Sequence, residues 1–401
     1  MRKTAWLKTK PKKVVVLLCL LLGFYLWNSG GEIVQAASMT ENIMNEQLSK
    51  LGIDDIKEYW TTIMNEYGGF LPETQKGTLL EFVKGEKEFS IKAWAIGILK
   101  YLFYEILVQG KLLGTLILLT VFSMLLQTIQ NAFEHHSVSK VAYAIIYMVL
   151  IILALNSFHV AMQYSKEAIE TMMNFMMALV PLLLALMATV GSITSVAFFH
   201  PIIVFLVNSS SILINSFILP LLFLSALLSI VSTLSEHHKV TQLAKLLRSL
   251  GMGALAVFFT VFLSVISVQG ATTAVADGIT VKTAKFITGN FIPVVGRMFT
   301  DATDTVMSAS VLLKNTVGIA GVAILFLLAV FPAIKVLAIG LIYSFAAAVL
   351  QPLGGGPIIE CLGIIGKSVF YIFAALATVS IMFFIAVTVI VAAGNLSLMI
   401  R

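Results

Sequence analysis

Two Glu-His-His trios hold four of the six histidines in this 401-residue chain. The first stands in "FEHHSV", residues 133–138, and the second in "SEHHKV", residues 235–240. Imidazole and carboxylate groups bind metals, but consecutive helical residues point about 100° apart, so one trio cannot close on one ion as histidines spaced i, i+4 can. Two trios brought together could supply four imidazoles. The spacing favours the other interpretation, in which the trios mark equivalent loops.

The remaining sequence offers little reactive chemistry. The segment "CLGIIGKSV", residues 361–369, lacks the first glycine of a phosphate-binding loop and leads into an apolar run. No Ser/His/Asp arrangement, carboxylate pair or zinc spacing is evident in the sequence. We therefore expect a protein that is not an enzyme and that has no cofactor and no metal.

One charged helical face has a spacing that could serve transport. Arg297, Asp301 and Asp304 are spaced i, i+4, i+7 in a segment bordered by apolar residues. Ionisable residues at membrane depth usually face water or each other, so these three are candidate pathway-lining residues. The alternative is an interfacial helix outside the bilayer, held by a pair between Arg297 and Asp301.

The amino-acid composition indicates the type of fold that positions the histidine trios and the charged helical face. The chain is 59% hydrophobic and 11% charged, with a mean hydropathy of +0.98, which is typical of an all-α, polytopic helical membrane protein. The net charge of +6 does not indicate nucleic acid, because six basic residues lie within residues 1–13. Nine apolar runs follow Lys111, and they predict seven to nine membrane crossings.

The N-terminal region has the pattern of an exported segment. Basic residues precede a short apolar run and the sequence "IVQAAS", which predicts a signal peptide over residues 1–36 that is cleaved after Ala36. An uncleaved anchor is the alternative. Residues 37–110 are predicted to form an extracytoplasmic region of short amphipathic helices, as a cap, as a docking surface, or lying on the membrane.

The two trios also suggest a tandem duplication. Aligning them superimposes residues 111–222 on residues 223–337, and residues 338–401 remain as a C-terminal hairpin. Pro181 then matches Pro293, and both are predicted helix breaks; Pro220 matches Pro332, and both resemble turns. Nearby lysines place both trios on the cytoplasmic side, which requires an even number of crossings between them.

The layout of signal peptide, short ectodomain, many spans and the segment "KFITGNFIPVVGRMFTDATDTVMSASVLLKNTVGIAG" resembles the stage III sporulation protein AE family of endospore-forming bacteria. The resemblance covers essentially the full length. It implies a multispanning subunit of a channel or secretion-like complex in the mother-cell membrane surrounding the forespore, required for late forespore gene expression.

The same resemblance implies partners. These are the other stage III sporulation operon proteins and, through them, stage II sporulation protein Q; a homo-oligomer is also possible. Two other functions stay open, a structural membrane scaffold of that complex without its own pore, and an autonomous small-molecule permease.

Overall fold

Nine α-helices form the fold in a computed structural model that describes residues 54–72, 91–132, 137–234, 240–291, 295–353 and 356–399. In those ranges all regular structure is helical. The helices are α1 Asp54–Tyr67, α2 Ile91–Val108, α3 Gly110–Ala132, α4 Ser137–Thr189, α5 Ile193–Leu213, α6 Leu219–Leu234, α7 Thr241–Phe291, α8 Val295–Leu350 and α9 Pro357–Met399. A π-helical turn, Ile214–Ile218, joins α5 to α6, and a 3-10 turn, Gln351–Leu353, follows α8.

Four of these helices are far longer than a bilayer is thick. Helix α4 has 53 residues and is therefore about 80 Å long, against roughly 30 Å of hydrocarbon. Helices α7, α8 and α9 have 51, 56 and 43 residues. A continuous helix crosses a membrane once, so two apolar runs within it cannot be two crossings.

The predicted number of crossings is therefore too high. The described residues hold five helical segments long and apolar enough to cross a membrane, or six if the bent pair α2 and α3 forms one more span. The five segments are Ala144–Thr189, Ile193–Thr233, Thr241–Thr280, Met307–Leu350 and Pro357–Asn395. This is the architecture of a multi-pass membrane protein. Two of these segments lie between the trios.

The polar middle of α4 explains the miscount. Runs 141–160 and 172–190 were predicted as separate spans, yet the residues between them continue the helix. Gln163 donates a hydrogen bond to Glu167 at 2.9 Å, and Lys166 lies 3.9 Å from Glu170. Such i, i+4 pairs support a helix instead of ending it.

Helix α4 ends in a glycine turn. Gly191 has φ 85°, and the backbone N–H groups of Gly191 and Ser192 donate to the carbonyls of Ala188 and Met187 at 2.9 and 3.0 Å. Glycine adopts this left-handed conformation without a Cβ penalty. The chain can therefore reverse into α5 within three residues.

Two prolines predicted as turns lie in helices. Pro332 is inside α8, and Pro220 is in the first turn of α6, directly after the π-helical turn. Proline lacks the N–H of the intrahelical ladder, and a π-helical turn or packing against neighbours accommodates that loss. Pro332 is therefore a mid-helix residue, and its prediction as a turn is wrong.

The core lies where α4, α8 and α9 pack together, and α7 packs on α9 and α6. Buried Tyr343 of α8 donates a hydrogen bond to Ser157 of α4 at 2.9 Å. Gly366 of α9 lies against Ser344 and the backbone of Gly340, so these two helices approach closely. This core fixes the relative positions of the helices that carry the sites below.

Helix α1 is amphipathic and lies in the region of residues 37–110, where short amphipathic helices are predicted. Its apolar face packs against α4 and α8, and we call this helix the cap. The buried residues of that face are Ile56, Trp60, Ile63 and Tyr67. The predicted signal peptide, residues 1–36, lies outside the described residues, and the tandem repeat stays a prediction.

Candidate functional site

A buried carboxylate joins two candidate spans. Asp277 of α7 is 1% exposed. Its oxygens accept hydrogen bonds from the backbone N–H groups of Thr194, at 2.9 Å, and Ser195, at 3.1 Å. Both donors are in the first turn of α5.

The start of α5 suits this carboxylate for two reasons. The first N–H groups of a helix have no intrahelical acceptor, and the helix dipole places partial positive charge there. Ser192 precedes the helix but supplies no side-chain cap. Asp277 therefore caps α5 from another helix and fixes α7 against it.

A buried ammonium joins a second pair of candidate spans. Lys314 of α8 is 0% exposed, and its Nζ donates to the carbonyl of Val391, at 3.0 Å, and to Oδ1 of Asn395, at 2.7 Å. Both acceptors belong to α9. Among the described residues, no carboxylate forms an ion pair with Lys314.

Gly394 makes room for that ammonium. A Cβ at Gly394 would lie 2.5 Å from Nζ of Lys314, closer than real side chains approach. In an extracytoplasmic loop, Lys314, like Lys282 and Lys285, would conflict with the predicted cytoplasmic placement of the trios. Its burial removes that part of the conflict, because the positive-inside rule concerns lysines in loops outside the membrane.

An acidic cavity of about 530 Å³ lies between α1, α4 and α8. Four carboxylates and one lysine are among its lining residues. The charged lining residues are Asp55, Glu58, Glu66, Glu167 and Lys335. Pro332 also lines this cavity.

Lys335 attaches the cap to the bundle. Its Nζ lies 5.5 Å from the ring centroids of Tyr67 and Tyr164 and 3.7 Å from Oε1 of Glu66. Tyr67 in turn stacks on Phe331, with ring centroids 4.0 Å apart. Burial, followed by the charge of Glu66, raises the pKa of Tyr67, so its hydroxyl stays neutral.

The predicted pathway residues occupy the start of α8. The backbone of Arg297, Asp301 and Asp304 is helical, and their side chains lie outside the described residues. Pro181, a predicted helix break, lies inside α4, which is helical on both sides of it. Pro293 is outside the described residues, between the end of α7 and the start of α8.

The trios fall at two helix junctions, between α3 and α4 and between α6 and α7. Residues 133–136 and 235–239 lie outside the described residues. In the part of the chain that the structure describes, no group of three or more His, Cys, Asp or Glu side chains could hold a metal ion.

The sequence analysis did not single out Asp277, Lys314 or the cavity as functional. Each of the two charges is isolated in an apolar stretch, "TTAVADGIT" and "SVLLKNTVG", and that isolation is the available signal. The cavity left no such signal, because its walls come from helices far apart in the chain.

Comparison with known proteins gives consistent results. The family model described as Stage III sporulation protein AE matches residues 74–394. The chain is 62% identical over 392 residues to the Stage III sporulation protein AE of Bacillus subtilis (strain 168), covering 95% of this chain and 98% of that protein. No solved structure matches. The resemblance predicted from the sequence is confirmed: the chain belongs to the stage III sporulation protein AE family.

Proposed function

We propose that this protein is a multispanning subunit of a channel or secretion-like complex that joins mother cell and forespore during sporulation. Its place would be the mother-cell membrane that surrounds the forespore, where it would support late forespore gene expression. Membership of a sporulation family and five candidate membrane spans support this proposal. The partners proposed with it are the other stage III sporulation operon proteins and stage II sporulation protein Q.

The observation that carries the proposal is the pair of ionisable residues buried within candidate spans. Asp277 and Lys314 each face the interior of the bundle, and charged residues in such positions are costly and typically functional. Helix N-termini inside the membrane are also a feature of transporters. A bundle fixed by these contacts is suited to a rigid membrane component of a passage.

Within that function, Arg297, Asp301 and Asp304 are the proposed pathway-lining residues. Their i, i+4, i+7 spacing places them on one face of α8, whose backbone is helical there. Pro181 and Pro293 are proposed helix breaks that shape the same passage. Neither proposal needs a cofactor.

A scaffold without its own pore is the second candidate, and two observations favour it. The chain itself supplies hydrogen-bond partners to both buried charges. An apolar groove of about 370 Å³ between α8 and α9 also suits packing against another apolar element. Its walls include Phe326, Ala329, Ala333, Phe373 and Phe384.

The test replaces the three charged side chains with neutral polar ones. Arg297→Gln, Asp301→Asn and Asp304→Asn are combined in sporulating cells that lack their own copy, with Lys282→Gln as the matched control. A pathway subunit should lose heat-resistant spores while keeping its abundance and its co-purification with the stage III partners. Normal sporulation in the triple variant would contradict the pathway role and favour the scaffold.

The autonomous permease has a separate test. Purified protein alone, reconstituted in liposomes, would have to transport solute without partners. We expect no such transport, because the proposed passage needs the complex. Partner-independent uptake would overturn the proposal.

A further inference from the structure

The acidic cavity between α1, α4 and α8 already holds one ammonium group. Nζ of Lys335 lies beside two tyrosine rings and one glutamate, the combination that recognises organic cations in aromatic cages. This contact is made by the chain itself. It shows which chemistry these walls accept.

The cavity has more negative charge than Lys335 neutralises. Asp55, Glu58 and Glu167 also line it, and no cation lies within ion-pair distance of them in the described part of the chain. Burial, followed by the charges of Asp55 and Glu58, raises the pKa of Tyr59. Four carboxylates against one ammonium leave a net charge of −3.

The free volume is large enough for a ligand. About 530 Å³ remains in addition to the space that Lys335 fills, within the range of roughly 300 to 1,000 Å³ typical of small-molecule sites. Tyr59 and Tyr164 give the cavity aromatic walls. A flexible alkyl chain could pack on these rings while its charged ends meet the carboxylates.

We propose that this cavity binds a small organic cation bearing primary ammonium groups. Two sources share that chemistry, a free linear polyamine and the ethanolamine headgroup of a lipid. Binding would involve α1 and the bundle together, so an occupied site would hold the cap more firmly on α4 and α8. The proposal does not depend on the function proposed above.

The test is calorimetric titration of the full-length protein in phosphatidylcholine nanodiscs with spermidine, at constant ionic strength. We expect saturable binding of spermidine. The titration is then repeated in nanodiscs rich in phosphatidylethanolamine. Weaker spermidine binding there would show that the lipid headgroup competes for the cavity and is its ligand, whereas unchanged binding would identify the free polyamine as the ligand. Heats no larger than those of sodium chloride in both nanodiscs would overturn the proposal.

Variants locate the site. Asp55→Asn, Glu58→Gln and Glu167→Gln together should weaken binding roughly tenfold, since each removes a partly exposed contact to the ligand. Glu360→Gln, a surface change on α9 outside the cavity, is the control and should bind as the unmodified protein does. The acids are exposed, so folding should not depend on them. Equal affinity of the triple variant and the control would overturn the assignment.

Lys335→Met gives an independent readout. It vacates the position between Tyr67 and Tyr164 and makes the cavity more negative, so spermidine should bind several-fold more tightly. The direction is informative because a general loss of structure would weaken binding. If the affinity for spermidine does not increase, the ligand does not place an ammonium group between Tyr67 and Tyr164.

Discussion

Asp277 and Lys314 are both buried in candidate spans, and each joins two helices, yet their partners differ. Asp277 accepts from two N–H groups that have no intrahelical acceptor. Lys314 donates to Val391, whose carbonyl lies within α9, and to the side chain of Asn395. The Asp277 carboxylate therefore gives acceptors to N–H groups that would otherwise have none. The hydrogen bonds of Lys314 mainly compensate for the burial of its own ammonium group.

The location of each charge strengthens this contrast. Asp277 meets the positive end of the α5 dipole, whereas Lys314 contacts α9 at Val391 and Asn395, before its last turn. Only at α5 does the side chain replace a missing cap.

The largest effect is expected for Asp277→Ala. It leaves two buried N–H groups without an acceptor, and the stability of the bundle in detergent should fall by about 3 kcal/mol. Thermal unfolding of the purified protein measures this change. Asp277→Asn keeps one acceptor oxygen and should lose less; an equal loss in both variants would contradict the capping role.

A smaller effect is expected at Lys314, with a different pattern. Lys314→Met removes a buried charge without a carboxylate partner and keeps the volume, so stability should change by less than about 1 kcal/mol, or increase. The same unfolding assay applies. If Lys314→Met destabilises the protein as much as Asp277→Ala does, the two buried charges contribute equally to stability, and the contrast between them is wrong.

Gly394→Ala should destabilise the protein by about 1 to 3 kcal/mol, because the new methyl group meets Nζ of Lys314. Combining it with Lys314→Ala removes the clash, so the two losses should not add. A double-mutant cycle from thermal unfolding measures the coupling. Additive losses would show that the ammonium is not the group in contact.

A neutral contact provides a calibration for the effects of the two charges. Tyr343→Phe removes the hydrogen bond to Ser157 and should cost about 1 kcal/mol, as for an ordinary buried hydrogen bond. The unfolding midpoint should shift accordingly. A loss larger than that of Asp277→Ala would show that charge does not distinguish these contacts.

How much the sequence could predict is clear from α4. Its first half exposes apolar residues such as Ile145 and Ile152, and its second half buries Leu183 and Met187, although both halves are rich in apolar residues. Hydropathy predicts that both avoid water. Hydropathy cannot separate a lipid-facing surface from a helix core. The polar residues between the two halves made one helix resemble two spans.

The local sequence pattern of α1 was more informative than the hydropathy of α4. Ile56, Trp60 and Ile63 are spaced to lie on one apolar face, and this face is the buried one, because amphipathic periodicity indicates the direction of packing. The partners on α4 and α8 are set by tertiary contacts more than 100 residues away. The cavity and both buried charges also depend on contacts between residues far apart in the chain, which no local spacing encodes.

The π-helical turn Ile214–Ile218 sets the rotational phase between α5 and α6. Each residue turns an α-helix by about 100°, so deleting one residue here would rotate everything after it by about that angle. Ser225, which donates to the carbonyl of Ala244 at 2.7 Å, would then point away from α7. This segment should accordingly tolerate substitutions that preserve its length far better than a change in length.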